Sequence, residues 1–182
     1  MSRLTLFALV WLALVAQRLL ELRLSARHEA ALRSRGGFEM PGSLLFPIAL
    51  AQALWLGGWA AEEIVRRPRP PAAWPLFAAL AVAAEALRWW AIQTLGGRWT
   101  TRVFALPGEP LVTAGPYRWL AHPNYVAVTL ETLALPLAFG AWRAAAVGTV
   151  LYLLALSLRM PAERRARALA LSETLDQDLT RP

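Results

Sequence analysis

Residues 119–158 read WLAHPNYVAVTLETLALPLAFGAWRAAAVGTVLYLLALSL. Taken as helix at 1.5 Å per residue, these 40 residues reach about 60 Å, twice the roughly 30 Å of hydrocarbon in a bilayer. Pro136 and Gly140 suit a tight hairpin in the middle, and Arg143 opens the second half. The stretch therefore predicts two membrane helices, 119–137 and 141–159. Working outward, three more apolar stretches of spanning length appear. Leu4–Gln17, extended by residues 18–22, has no small-residue cleavage site behind it and reads as a retained helix, 4–22. Met40–Ala61 carries no charge and predicts a helix over 41–61. The stretch from Pro71 to about Leu95 predicts a fifth over 72–95, apolar to Ala84 and then bearing Glu85, Arg88 and Gln93.

Composition supports this reading. Of 182 residues, 57% are hydrophobic and 17% charged. Soluble domains hold about 25% charged residues, and one of this size could not bury so much apolar surface without lipid as part of its solvent. A disordered chain, a disulfide scaffold and most soluble enzymes are thereby excluded. The absence of Cys excludes a thiolate metal site and a cysteine nucleophile. All 19 basic residues are Arg and the net charge is +7, which in so apolar a chain points to anionic lipid and not nucleic acid.

The fold class is thus all-α: a polytopic bundle of about five transmembrane helices in one domain, 1–182. A loop, 96–118, and an amphipathic tail, 160–182, lie outside it. Five crossings put the termini on opposite sides. Twelve arginines fall on the side of the 23–39 loop, the 96–118 loop and the C-terminus, against five on the other, which places that side in the cytoplasm. The run Arg66-Arg67-Pro68-Arg69 goes against this bias.

The 96–125 stretch reads GGRWTTRVFALPGEPLVTAGPYRWLAHPNY. Gly96-Gly97 ends a helix, Arg98–Arg102 alternates as a short extended run, and Pro107-Gly108 and Gly115-Pro116 mark turns. Pro123 suits a first helical turn, so His122 stands at the N-terminus of the fourth helix. An interfacial belt of Tyr, Trp and Arg accounts for this cluster without any chemistry. The intramembrane charges weigh towards a site. Glu131 lies two turns beyond Tyr125, and Glu85–Arg88 has i,i+3 spacing for pairing; Arg18–Glu21, at the same spacing, can pair on one helical face near the membrane surface. Such charges are retained when they pair between helices or face a polar pocket. Arg159 and Glu163, four apart, share one helical face before a basic amphipathic segment, Arg164–Leu171. His28 reads as a loop residue beside Glu29 without a role.

Leu111-Val-Thr-Ala-Gly-Pro-Tyr-Arg-Trp119, then His122-Pro-Asn-Tyr125, then Arg159…Glu163, closely resembles the isoprenylcysteine carboxyl methyltransferase family. Gln17–Leu22, Ser25–Arg27 and Gly36–Glu39 further resemble a bacterial branch, the alkylpyrone and alkylresorcinol O-methyltransferases. The resemblance implies small integral membrane enzymes that bind S-adenosylmethionine at the cytoplasmic face. It implies cofactor contacts at Glu109, Pro110, Leu111, Val112 and Tyr117, at His122, Pro123, Asn124 and Tyr125, and at Glu163; Arg102 is a looser match. It implies that Arg159 faces the acceptor. Ala121 departs from the family pattern, where Arg is common, and Ala162 stands where a second acidic residue is usual.

The chemistry this implies is methyl transfer to an oxygen of a lipophilic acceptor that enters from the bilayer, with no metal. An acceptor carboxylate needs no base, whereas a phenol or enol does better with one, and Glu131 is the candidate. Two other readings remain at this level: a phospholipid N-methyltransferase, and a small transporter or scaffold with an aromatic belt. A transporter usually shows an internal repeat, and none is visible here. Location in the inner membrane follows if the source is bacterial. Neither the acceptor's identity nor the oligomeric state is written in the sequence.

Overall fold

Helix ends are set by local signals, and they produce five α-helices among the described residues. The computed structural model describes residues 2–107 and 109–179, of 170–179 the backbone course alone. Ser2 accepts from the Thr5 amide at 3.1 Å and opens α1, Arg3–Ser34. A two-residue strand, β1 (Phe38–Glu39), leads to α2, Leu45–Arg66. Pro75 lies in the first turn of α3, Trp74–Leu95. Gly96, at φ 53°, closes α3 into a 3-10 turn, Gly96–Arg98. A second strand, β2 (Phe104–Ala105), and a second 3-10 turn, Gly115–Arg118, precede α4, Pro123–Phe139. Gly140 ends α4 at φ 85°; a Cβ there would strike the Arg69 carbonyl. The last helix, α5, is Trp142–Leu179.

The all-α fold class therefore stands. Among the described residues, three helices are long and apolar enough to cross a membrane: Arg3–Ser34, Trp74–Arg98 and Trp142–Leu169. Leu9, Leu12, Val82 and Leu154 point outward from them, as lipid-facing residues do.

The aromatic core sits at one end of the bundle. Phe7 of α1 meets the Trp59 ring edge-on at 5.3 Å, Phe139 of α4 meets it at 5.6 Å, and Trp55 stacks on it at 5.9 Å. Trp55 also fills the space over Gly148 of α5, where any side chain would collide with its ring. Beside this core, Arg3 donates to the Glu63 carboxylate at 2.6 Å and to the Phe139 carbonyl at 3.0 Å. Glu62 accepts the Ala144 amide at 2.7 Å, satisfying a first-turn donor of α5. Dispersion and these bonds close this end, as befits helices whose outer solvent is lipid.

Several local expectations change. Residues 23–34 form no loop: Ala, Arg, Leu and Glu are good helix formers, and α1 runs on through Ser34. The extended segment after Gly97 lies later than 98–102, at Phe104–Ala105, because its partner is β1; Phe38 faces Ala105 and Glu39 faces Phe104. The 160–179 segment is no separate helix, since α5 continues through Pro161. Gly108 of the Pro107-Gly108 turn, and Thr180–Pro182 of the tail, lie outside the described residues.

Candidate active site

A cavity of about 570 Å³ opens at the end of the bundle opposite the aromatic core, with walls from all five helices and the 96–118 segment. That size suits a small-molecule site.

Its polar wall is built on α4 and α5. His122 occupies the N-cap position of α4, its ring making no capping bond, and Pro123 supplies the first helical residue. One turn on, the Tyr125 ring stacks against His122 with centroids 5.1 Å apart, and its hydroxyl donates to the Glu163 carboxylate. The i,i+4 pair expected on α5 forms, with Arg159 Nε donating to Glu163 at 3.3 Å. The Arg159 guanidinium lies 5.6 Å over the Tyr125 ring and also donates to the Thr101 carbonyl. Asn124 lines the cavity with a buried Oδ1 that lacks a hydrogen-bond partner.

Burial, reinforced by the Glu163 charge, pushes the Tyr117 hydroxyl above its ordinary range. The phenol stays protonated and can donate. Burial first, and the Arg167 charge second, hold His122 below its usual value, against the opposing pull of Glu163. The ring is therefore neutral at pH 7.

The roof is the 96–118 segment, and the far end of α1 with β1 straps it down. His28 Nδ1 lies 2.7 Å from the Trp99 carbonyl, and Ser25 accepts the Thr101 amide at 2.8 Å. Arg102 pairs with Glu39 at 2.9 Å and with Glu29 at 3.7 Å. Glu109 sits between Arg35 and Arg98, and Arg98 donates to the Pro110 carbonyl at 2.7 Å. At the other edge, Trp119 meets Trp90 of α3 edge-on at 5.9 Å.

Deeper in the bundle, four charges interlock. Arg18 Nη2 lies 2.6 Å from Glu131 Oε2, and Arg88 Nη1 reaches the same oxygen at 3.4 Å. Glu21 accepts from Arg88 Nε at 2.7 Å and from Arg18 at 3.1 Å. The Arg18–Glu21 spacing pairs as read. Glu85 and Arg88 do not pair with each other: Arg88 turns to α1 and α4, and Glu85 takes the Gln17 amide at 2.8 Å. Two acceptors on separate helices hold a guanidinium better than one neighbour on its own helix.

Arg102, Glu109, Pro110, Leu111 and Val112 all line this one cavity, as do Tyr117, His122, Asn124, Tyr125, Arg159 and Glu163. Pro123 and Glu131 do not line it: Pro123 shapes the helix start, and Glu131 is buried behind Arg18 and Arg88. Sequence reasoning missed Ser25, His28, Glu29 and Glu39, because it read 23–39 as a loop. It also passed over Gln52 and Tyr152, which line the cavity. Gln52 had a signal, as a lone amide in an otherwise apolar stretch. Among the described residues no three His, Asp or Glu side chains converge as a metal site.

Residues 77–169 match the isoprenylcysteine carboxyl methyltransferase (ICMT) family. The chain is 31% identical over 160 residues to the uncharacterized protein YpbQ of Bacillus subtilis, covering 88% of this chain and 95% of the relative. It is 25% identical over 154 residues to an uncharacterized protein of Haemophilus influenzae, covering 84% and 90%. No solved structure matches the chain.

Proposed function

The chain belongs to the isoprenylcysteine carboxyl methyltransferase family, and from that premise we propose that it moves a methyl group from S-adenosylmethionine to an oxygen of a lipophilic acceptor. Membership makes it a membrane methyltransferase; the donor, the oxygen and the acceptor are the proposal. The observation that carries it is one cavity with two characters. Its α4–α5 and loop side offers Asn124, Tyr125, Arg159 and Glu163, while its α1–α2 side is apolar apart from Gln52 and the paired Arg18 and Glu21. A polar donor and a lipid acceptor can meet there without either leaving its own medium.

The residues fit the donor. The orphaned Asn124 Oδ1 needs a hydrogen-bond donor, which an amino group or ribose hydroxyl provides. Leu111 and Val112 give adenine an apolar wall. The Tyr125 ring and the Glu163 carboxylate suit a cationic sulfur. The first turn of α4, set by Pro123, offers amides to a carboxylate. When bound, S-adenosylmethionine supplies a methyl carbon on a sulfonium leaving group. The protein's task is then alignment of the attacking oxygen with that carbon. Arg159, fixed by Glu163 and Thr101, faces the acceptor and holds an anionic oxygen. Arg102 and Glu109 act through the roof they pin.

Glu131 takes a positioning role in this proposal. Its oxygens are committed to two guanidinium groups that form the cavity wall, Arg18 and Arg88. A carboxylate or enolate acceptor needs no base, and a phenol such as an alkylresorcinol reacts as its phenolate, the proton passing to water before transfer. The arginine asymmetry favours a roof, 96–118, on the cytoplasmic side, where a water-soluble donor enters.

Calorimetric titration with S-adenosylmethionine in nanodiscs tests the donor, beside a Tyr125→Ala, Glu163→Ala double variant. Transfer of labelled methyl groups to alkylresorcinols, alkylpyrones and isoprenylcysteine analogues tests the acceptor. Micromolar binding lost in the double variant, with label appearing in an ether or ester, is the expected result. Folded wild-type protein that neither binds nor transfers overturns the proposal.

A further inference from the structure

The apolar side of the cavity is a groove between α1 and α2. Val15, Leu19 and Leu22 line it from α1, and Ile48, Ala49 and Ala53 from α2. Leu19, Leu22, Ala49 and Ala53 are exposed, so the groove opens sideways where lipid lies. Its far end is closed: Trp11 Nε1 donates to the Leu56 carbonyl at 3.0 Å and ties the two helices together. From Leu45 to Leu56 the α2 wall is about 16 Å long at the helical rise.

Arg18 and Glu21 of α1 also line the cavity, but their charges are paired with each other and with Glu131 and Arg88; on the α2 wall one residue breaks the apolar lining. Gln52 stands one turn above Leu56, and both its Oε1 and its Nε2 are buried without a hydrogen-bond partner. An unpaired amide in an apolar setting is unfavourable, and lipid tails offer it nothing. Polar side chains within membrane helices that face a cavity mark ligand paths.

We propose that the groove holds one hydrocarbon chain of the acceptor and that Gln52 recognises a hydroxyl carried on that chain, near its closed end. A hydroxyl both donates and accepts, so it answers the carboxamide oxygen and nitrogen together; a carbonyl answers only the nitrogen. Gln52 lies about 10 Å along the helix from Leu45, which places the hydroxyl far from the reacting headgroup. A saturated chain would fill the groove but leave the amide unpaired. The inference deepens the methyltransferase reading by naming a feature of its acceptor, and it rests on that reading only for the identity of the bound lipid.

The test is chain binding, separate from methyl transfer. Protein in nanodiscs would be titrated with octadecanoic acid and with its 3-, 10- and 12-hydroxy derivatives, in competition with a fluorescent fatty acid. Wild type is expected to bind a 10- or 12-hydroxy acid about tenfold more tightly than the unsubstituted or 3-hydroxy acid, equivalent to about 1.4 kcal/mol. Gln52→Leu and the equally long Gln52→Met should bind all four alike. Equal affinities in wild type, or a preference that survives in both variants, overturns the proposal and leaves Gln52 to a bound water. Failure to bind S-adenosylmethionine or transfer methyl would instead refute the function, and would leave the affinity ratios readable.

Discussion

Glu163 joins the site's side chains to one another: it accepts from the Tyr125 hydroxyl and Arg159 Nε, and its charge acts on Tyr117 and His122. His122 is where this electrostatics becomes measurable. Its folded pKa lies below the unfolded value of 6.5, so the unfolded chain takes up the proton first on acidification. The stability contributed by the neutral ring is complete above pH 6.5 and declines as pH falls towards the folded value. Melting temperature should therefore drop between pH 7 and pH 5 in wild type and drop less in His122→Asn; equal slopes would remove His122 from the account. Glu131→Gln makes a different prediction. Breaking a buried pair leaves charge uncompensated, on the order of 3–5 kcal/mol, so the variant should melt early and turn over slowly with an unchanged pH profile. A stable variant that loses only the alkaline-activated limb of its profile would restore Glu131 as the base. Much of this scale was legible in the sequence where spacing alone decides, as with Arg159 and Glu163 on one face or Pro123 at a helix start. The partners of Arg88 were not legible, since they come from two other helices.

At the scale of elements, the strap and the helix contacts explain what the sequence concealed. The helices were visible because their apolar runs match a bilayer, and Gly140 and Pro136 marked the last hairpin. A two-residue strand pair leaves no periodicity to detect. The helical continuation of α1 carries its inward face as Ser25, Glu29 and Leu32, too polar a pattern to separate from a loop. Yet this part of α1 holds the roof. Removing the Arg102 partner by Glu39→Gln should loosen the roof while sparing the bundle. Tryptic cleavage at Arg98 and Arg102 should quicken, and the KM for S-adenosylmethionine should rise several-fold with melting temperature nearly unchanged. Cleavage at the wild-type rate would mean that the remaining straps from Ser25, His28, Glu29 and the β1–β2 pairing close the roof without Glu39. Gly148→Ala probes the opposite end: its methyl enters the Trp55 ring. Overpacking of this kind costs about 1–3 kcal/mol, so the variant should melt several degrees lower with donor affinity intact. Unchanged melting would show that Trp55 can turn aside.

At the scale of the molecule, the two ends divide the labour. The aromatic core and the Arg3–Glu63 and Glu62–Ala144 bonds anchor one end, which lets the other stay hollow around the cavity. This arrangement implies a definite orientation if the donor is water-soluble and the acceptor is lipid: the hollow end faces the cytoplasm and the anchored end faces away. The arginine count favours that direction, and the 66–69 cluster at the α2–α3 connection opposes it, so the matter calls for a direct measurement. The chain has no cysteine, which makes introduced thiols unambiguous reporters. Thr113 on the roof segment and Arg67 beyond α2 are both exposed. With an odd number of crossings between them, Thr113→Cys should react with a membrane-impermeant maleimide only in inverted vesicles, and Arg67→Cys only in intact cells. The reverse pattern would keep the fold but turn the site outward, away from the cytoplasmic donor. Labelling of both from one side would mean that α3 does not span, and the lateral groove could then no longer open into the middle of the bilayer.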